Sequence, residues 1–389
     1  MSKGSRLKTF FYVLGALVLL VGLWGIYMRF AVGDREASYG SYITWGLWVA
    51  MYIFFSGVAT GSFMVAALDH LLGVKLFKGT GTVALWITVV TLPAALVTIG
   101  LDLGHMERIW KVYTQPNFNS LLAQLVWGYT IFMIIALIAL WLVVQRTKGK
   151  VKSNGLLRPT MGIGLFLAIF LSGGIGAFLG LNAGRESWNS AMLPAQFPIF
   201  SLMSGIAVMM IVLGWFMPIQ DERHPMQLRV LSIALAILLV VKAYYLWTDY
   251  SQALYSGSPS ARQVVDIILY GRFGWVFWVL QLGVGMVIPF LLLVLPRFNR
   301  NKLWVGIIGV LVLIGMGIAR ANIVFPTLAT PELEGLATAF TGPHLGYDYF
   351  PSLMEWAVVL GVIGAATLAF LIGTDFLPLF PEKSQEVTQ

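Results

Sequence analysis

Apolar residues along this chain fall into ten blocks, at about 8–30, 43–68, 81–101, 120–144, 158–181, 198–217, 229–247, 273–295, 302–322 and 355–377. Each is roughly 20 residues long, the length an α-helix needs to cross ~30 Å of hydrocarbon, and charged or turn-forming residues gather between them. The ~10-residue alternating runs of a membrane barrel are absent, and in lipid only helices or closed barrels satisfy their own backbone groups. The pattern therefore predicts an all-α integral membrane protein, one polytopic domain over 1–389 with about ten transmembrane helices. Helices two to five and six to nine are expected to form two four-helix bundles of the same orientation, flanked by the first and last helices.

Composition strengthens this reading. Hydrophobic residues make up 58% of the chain and charged residues 11%, with mean hydropathy +0.83, about half the charge of an ordinary soluble domain. The net charge of +8 does not point to nucleic acid, because the basic residues sit in short loops between apolar blocks, where they set orientation. Assigning alternate sides from the N-terminus gives a roughly two-to-one excess of Lys and Arg on the first side, with the Arg146–Arg158 loop the richest. By the positive-inside rule both termini are cytoplasmic. The first run, Thr9 to Tyr27 behind basic Lys3, Arg6 and Lys8, is too long for a signal peptide and lacks a small-residue cleavage site, so it reads as a retained helix. Long connections at 102–119, 182–197, 248–272 and 323–354 then face the exterior, where they could carry a site or dock a partner. Localisation in the inner (cytoplasmic) membrane, with a periplasmic or exterior working face, follows.

The chain has no cysteine and four histidines, His70, His105, His224 and His344, all near block boundaries or in loops. Neither a thiolate-held iron–sulfur cluster nor haem held between His pairs is expected in this chain, and no metal site is assigned. Any redox centre would belong to a partner. Charged groups inside a span cost about 2.5–3.5 kcal/mol each, so each is a functional candidate. Asp102 ends the third block in a dense ionisable run through His105, Glu107 and Arg108 to Trp110. Such a set either holds a quinone headgroup and moves its protons or closes a loop as an interfacial salt-bridge cluster. Asn182, Arg185 and Glu186 form a second exterior set, in which Arg and Glu either neutralise each other or shape a site.

Tyr52, one to two turns inside the exterior end of the second block, offers a phenol that either donates to a quinone oxygen or simply packs. Asp69 and His70 at the inner end of that block, and Lys242 near Tyr244 and Tyr245, are candidates for a proton path. Lys242 could instead snorkel or pair with Asp249 on a compatible helix face. Gly and Ser runs at Ser56–Gly57 to Gly61–Ser62, Ser172 to Gly180 and Gly306 to Gly317 are read as close helix packing. Trp45, Trp48, Trp110, Trp188 and Trp247 are read as interfacial anchors.

At this point the motifs resemble a known family, the NrfD/PsrC type of membrane subunit, also called polysulfide reductase NrfD-like, with a HybB/DsrP-like ten-helix form. Residues Tyr42 to Gly57 are similar to its first characteristic helix. Asp102-Leu103-Gly104-His105, then Arg108-Ile109-Trp110 and Asn117-Phe118-Asn119-Ser120, resemble its Asp-Leu-Gly-Arg-Pro, Arg-Phe-Trp and Asn-Phe-Ser pattern. Ser187 to Pro194 resembles its Trp-Asn-Ser-Pro-Leu-Leu-Pro segment, and Tyr349 to Glu355 resembles the start of the last helix in ten-span members. His105-Met106 stands where many members have Arg-Pro, and Tyr52 near where relatives use His or Asp.

The resemblance implies a quinone-reactive membrane subunit of a respiratory oxidoreductase complex, with proton translocation as a possible addition. Its pocket would lie near the exterior face among helices two to five and would take menaquinone or ubiquinone as a diffusible substrate. Asp102 would exchange protons, Tyr52 and His105 would meet the headgroup, and Arg108, Asn182 and Arg185 would shape the pocket. Asp69, His70 and Lys242 would serve proton movement. The implied partners are an exterior ferredoxin-like iron–sulfur subunit and further catalytic or multihaem cytochrome subunits. Two rival classes are a secondary transporter, which also carries broken helices and buried charges, and a purely structural membrane anchor.

Overall fold

A computed structural model describes residues 3–150, 155–217, 223–333, 335–340 and 342–380, with side chains from Arg6 onward. Residues 151–154 of the basic Arg146–Arg158 loop lie outside this set. Ten long helices emerge: α1 (Lys3–Val32), α2 (Leu47–His70), α3 (Gly81–Asp102), α4 (Leu121–Thr147), α5 (Leu157–Gly180), α6 (Met192–Trp215), α7 (His224–Tyr255), α8 (Val276–Val294), α9 (Lys302–Leu328) and α10 (Leu353–Phe376). All ten are long and apolar enough to span a bilayer, so the all-α membrane architecture read from hydropathy holds.

Odd-to-even connections are long and carry short helices such as Pro259–Leu269, whereas even-to-odd connections are tight. The start of α1 and the end of α10 share the tight side, where Tyr12 and Lys8 of α1 both bond Asp375 of α10, the tyrosine hydroxyl at 2.6 Å. We refer to the opposite side as the long-loop face.

Packing follows the positions of small residues. Helix α2 is the hub, with 83% of its apolar stretch buried against 17% for α1. It meets α3, α5, α6, α9 and α10. Helices α3 and α4, α4 and α5, and α5 and α2 also touch, and α6 to α9 pack similarly around α6–α9 and α8–α9 contacts. A side chain at Gly61 would collide with the Ser201 carbonyl and Gly205, so α2 and α6 approach backbone to backbone there. In lipid such contact supplies the van der Waals packing that a hydrophobic driving force cannot. Helices α1 and α10 pair in the same way at Gly22 and Gly361, and the rest of α1 remains largely exposed.

Several ends differ from the hydropathy reading, and the differences matter. Helix α2 begins at Leu47, not 43, because Gly46 is extended (φ −105°, ψ −153°). Helix α6 begins at Met192 and absorbs Pro198 in its second turn, and α9 runs through Pro326 to Leu328. Proline lacks one donor, and neighbouring helices can re-satisfy the carbonyl it frees. Helix α7 continues beyond Trp247 to Tyr255. Arg320 and Asp249, which short spans leave near the rim, thereby lie well within long helices. In α8 the bonding widens to i→i+5 over Val276–Val287, a geometry frequent at functional sites.

Trp48 and Trp188 are buried rather than interfacial. The loops fold back over the helix ends, the Trp188 indole donates to the Ile323 carbonyl at 2.7 Å, and its ring stacks on Trp45 with centroids 5.6 Å apart. Trp110 and Trp247 are exposed, as anchors would be.

Candidate functional site

Four helices, α1, α2, α3 and α10, and three connecting segments meet at the long-loop ends of α2 and α3. Glu355, in the first turn of α10, is completely buried. It takes part in a capping box with Ser352, and its Oε1 also accepts the Ser38 backbone N–H at 2.9 Å. Its Oε2 accepts from the Tyr349 hydroxyl and, at 3.2 Å, from the Leu47 N–H that opens α2. That N–H also donates to the Tyr349 oxygen at 2.7 Å. A helix N-terminus carries unsatisfied donors and a positive partial charge, so a carboxylate and a hydroxyl there are well placed. Gly46 makes the approach possible: a Cβ would lie 2.6 Å from the Tyr349 oxygen and 2.7 Å from Glu355 Oε2.

The other wall is built by Arg29 of α1, which is 4% exposed. Its Nε donates to the Leu101 carbonyl at 2.8 Å and its Nη2 to the Leu103 carbonyl at 2.9 Å, and it pairs with Asp34 at 2.8 Å. The guanidinium thus closes the C-terminal end of α3, where free carbonyls and the negative end of the helix dipole favour a cation. Tyr39 completes the wall by donating to Asp34 at 3.1 Å. Burial first, then the nearby Asp102 and Asp34 charges, raise the Tyr39 hydroxyl well above the usual tyrosine range. Burial and Glu355 do the same to Tyr349. Both phenols keep their protons at ordinary pH.

Asp102 sits between these walls, sharing its electrostatic surroundings with Glu355, Asp34 and Arg29. Its Oδ1 is buried and accepts no hydrogen bond from the described residues. The contrast with Glu355 separates two roles. Four donors use up the Glu355 carboxylate, whereas half-buried Asp102 keeps a buried Oδ1 with its accepting capacity unused, which native structures rarely leave without a reason.

The remaining candidates are dispersed. Tyr52 lies in the second turn of α2, edge-on to Tyr129 with centroids 6.4 Å apart. His105 and Arg108 are exposed; His105 Nδ1 pairs with Glu107 at 3.0 Å and Arg108 lies 3.5 Å from the same carboxylate. Glu107 is held below the usual range by its own backbone N–H and then by His105. Asn182 is exposed. Arg185 does not neutralise Glu186: it pairs with Glu332 at 2.7 Å and donates to the Thr327 and Thr330 carbonyls, while Glu186 accepts from Ser258 and Ser260. Asp69 caps α3 by accepting from Gly79 at 2.7 Å and Gly81 at 3.0 Å, with His70 beside it on the tight side. Lys242 is buried and bonds the Met316 sulfur at 3.1 Å, and Asp249 accepts from Gln196 at 3.3 Å, so the α7 pair expected from spacing does not form.

Two cavities complete the picture. An apolar cleft of about 660 Å³ runs between α10, α2, α3, α6 and α9. On α10 it extends from Trp356 to Leu371, about 22 Å at 1.5 Å per residue. Ile314, Leu360 and Ile363 on its lining are also exposed to the surroundings. Its upper end is formed by Leu47 and Trp356, which adjoin the Glu355 cluster. The second cavity, of about 300 Å³, lies among α6 to α9 and is lined by Lys242, Asp249, Gln196, Gln281 and Arg320.

Glu355, Arg29 and Arg320 were not singled out from the sequence. Glu355 carried a signal in its Ser352-x-x-Glu355 capping pattern, and Arg320 in being a charge within an otherwise apolar run. Arg29 looked like an ordinary flanking cation.

Similarity to characterised proteins extends over almost the whole chain. A selenate reductase polypeptide of Mesobacillus selenatarsenatis is 29% identical over 98% of this chain and 97% of its own length. An Hdr-like menaquinol oxidoreductase integral membrane subunit of Archaeoglobus fulgidus is 25% identical over 95% and 93%. The menaquinone reductase integral membrane subunit of Nitratidesulfovibrio vulgaris is 21% identical over 95% and 92%. Residues 36–332, from the loop ahead of α2 through the end of α9, match the polysulphide reductase NrfD family, and the chain belongs to it.

Proposed function

We propose that this chain is the quinone-reactive membrane subunit of a respiratory oxidoreductase complex, exchanging electrons between the quinone pool and an iron–sulfur subunit docked on the long-loop face. One observation carries the reading: an apolar cleft ends at Leu47 and Trp356, against the Glu355 cluster, and the same group of helix ends holds Asp102, whose buried Oδ1 has no partner among the described residues. A quinone needs both features. Its isoprenoid tail requires a dry slot open to lipid, and its ring oxygens require groups that hold and exchange protons.

Oxidation of a quinol releases two electrons and two protons. Asp102 takes the protons one at a time, releasing the first to water at the long-loop face before accepting the second, while Tyr349 and Tyr39 remain protonated and fix the carboxylates around it. Arg29 and Glu355 position the two helix ends that frame the ring. The electrons leave to clusters in the partner, since the cysteine-free chain has no thiolate to hold one. Menaquinone is favoured over ubiquinone by the names of two relatives, and catalytic or multihaem cytochrome subunits would complete the complex. In this reading the membrane is the inner one, both termini are cytoplasmic and the long-loop face is periplasmic or exterior. Any transmembrane proton movement would use Lys242 and the Asp69–His70 pair.

The test is Asp102→Asn in the assembled complex. Quinol-linked turnover should fall at least a hundredfold, with subunit composition unchanged and activity with a soluble electron donor to the partner subunits retained. Normal quinol turnover in that variant would remove Asp102 from the reaction.

A further inference from the structure

The cavity among α6 to α9 is separate from the quinone cleft, and of the groups assigned to quinone or proton chemistry above it holds Lys242 alone. It contains two cations that lack, among the described residues, the partners buried charges require. Lys242 is 1% exposed and Arg320 2%. Each lies 5.8 Å from the centre of the Phe200 ring, and Arg320 also stacks on Phe197 at 4.1 Å. Lys242 and Arg320 are near enough to interact electrostatically.

Between them they find one acceptor among the described residues, the Met316 thioether on Lys242, which is a weak one. Arg320 Nη1 is buried with no hydrogen-bond partner there. Aromatic faces attract cations but accept no N–H bond in the carboxylate sense, and a buried ion normally demands a counter-charge and satisfied donors.

The carboxylates in reach do not supply this. Asp249 lines the same cavity but takes the Gln196 amide, and Glu186 at the mouth is exposed and bonded to Ser258 and Ser260. The amides on the wall are neutral, Asn322 donating to Gln281 at 2.6 Å. The interior therefore carries two cations against one carboxylate.

We propose that this cavity binds one small monovalent anion, of the halide, nitrate or formate class, between Lys242 and Arg320. The size suits it: about 300 Å³ accommodates such an ion with several waters. The access suits it too, because exposed Asn189, Gln252 and Ser256 line the mouth on the long-loop face. The anion supplies the missing charge and accepts from the unspent guanidinium and ammonium donors. This site is separate from the quinone cleft and does not depend on the quinone reading.

The experiment follows thermal unfolding of the full chain in nanodiscs at constant ionic strength and pH, replacing gluconate by chloride, nitrate or formate. Gluconate, bulky and strongly hydrated, is the reference anion. The midpoint should rise saturably by several degrees with the small anions. Met316→Glu places a carboxylate where the thioether meets Lys242, so its midpoint in gluconate should match or exceed the wild-type value and lose the anion dependence. Lys242→Gln is the second variant and should also flatten the response. A wild-type midpoint that is the same in every anion would show that water alone fills the cavity and would overturn the proposal. So would an anion response of unchanged size and midpoint concentration in whichever of the two variants folds.

Discussion

Arg29 on the first helix donates to the carbonyl of Leu101 on the third, at 2.8 Å. The bond ties a flanking helix to the residue immediately before Asp102. A guanidinium that holds two nearby loose carbonyls, Leu101 and Leu103, fixes the direction in which the intervening side chain leaves the backbone. Arg29→Gln should therefore lower quinol turnover about ten- to a hundredfold, the scale of a misplacement of about 1 Å, while the complex still assembles. Turnover assays on purified membranes, normalised to the amount of assembled complex, check this.

Glu355 has the opposite character. Its carboxylate is filled with donors, so Glu355→Gln leaves a buried hydroxyl or N–H facing an amide N–H₂ that cannot accept. A cost of about 2–4 kcal/mol is expected from the lost charge-assisted bonds and the stranded donor. The measurement is thermal unfolding in detergent, where the midpoint should drop by several degrees. A variant as stable as the parent would mean that the α2 and α10 ends are not joined through this group.

His105 is the clearest negative prediction. Its ring lies on the surface against Glu107, away from the buried Asp102 oxygen. His105→Ala should keep quinol turnover within about twofold and leave the unfolding midpoint unchanged, as is usual for exposed substitutions. A hundredfold loss would require the loop 103–110 to fold inward when quinone binds.

The helix contacts at glycine offer a paired comparison. Gly61→Ala puts a methyl group into the Ser201 carbonyl and Gly205, whereas a Cβ at Gly104 meets nothing within 4 Å. Gly61→Ala should destabilise by about 1–3 kcal/mol through overpacking, visible as reduced yield of monodisperse protein. Gly104→Ala should behave as the wild type.

Much of this was legible in the chain. A run of about 20 apolar residues has few options in lipid, so all ten spans could be placed, most within a few residues. Asp102 could be picked out because a carboxylate at the end of such a run is costly and hence informative. The exceptions to the span ends share a cause. Proline at 198 and 326 and the polar stretch 248–255 look like stop signals locally, yet a packed bundle tolerates proline inside a helix and a polar cavity lines much of the 248–255 stretch.

The sequence by itself determined what must be hidden from water and by which kind of element, because hydropathy and backbone hydrogen bonding are properties of each segment alone. Only the tertiary structure decided which charged groups meet. Arg29, Asp102 and Glu355 come from three separate helices, and Lys242 and Arg320 from two more. Distances across a membrane bundle depend on which backbones can touch, and that is set by glycines such as Gly46 and Gly61 acting against partners far away in the chain.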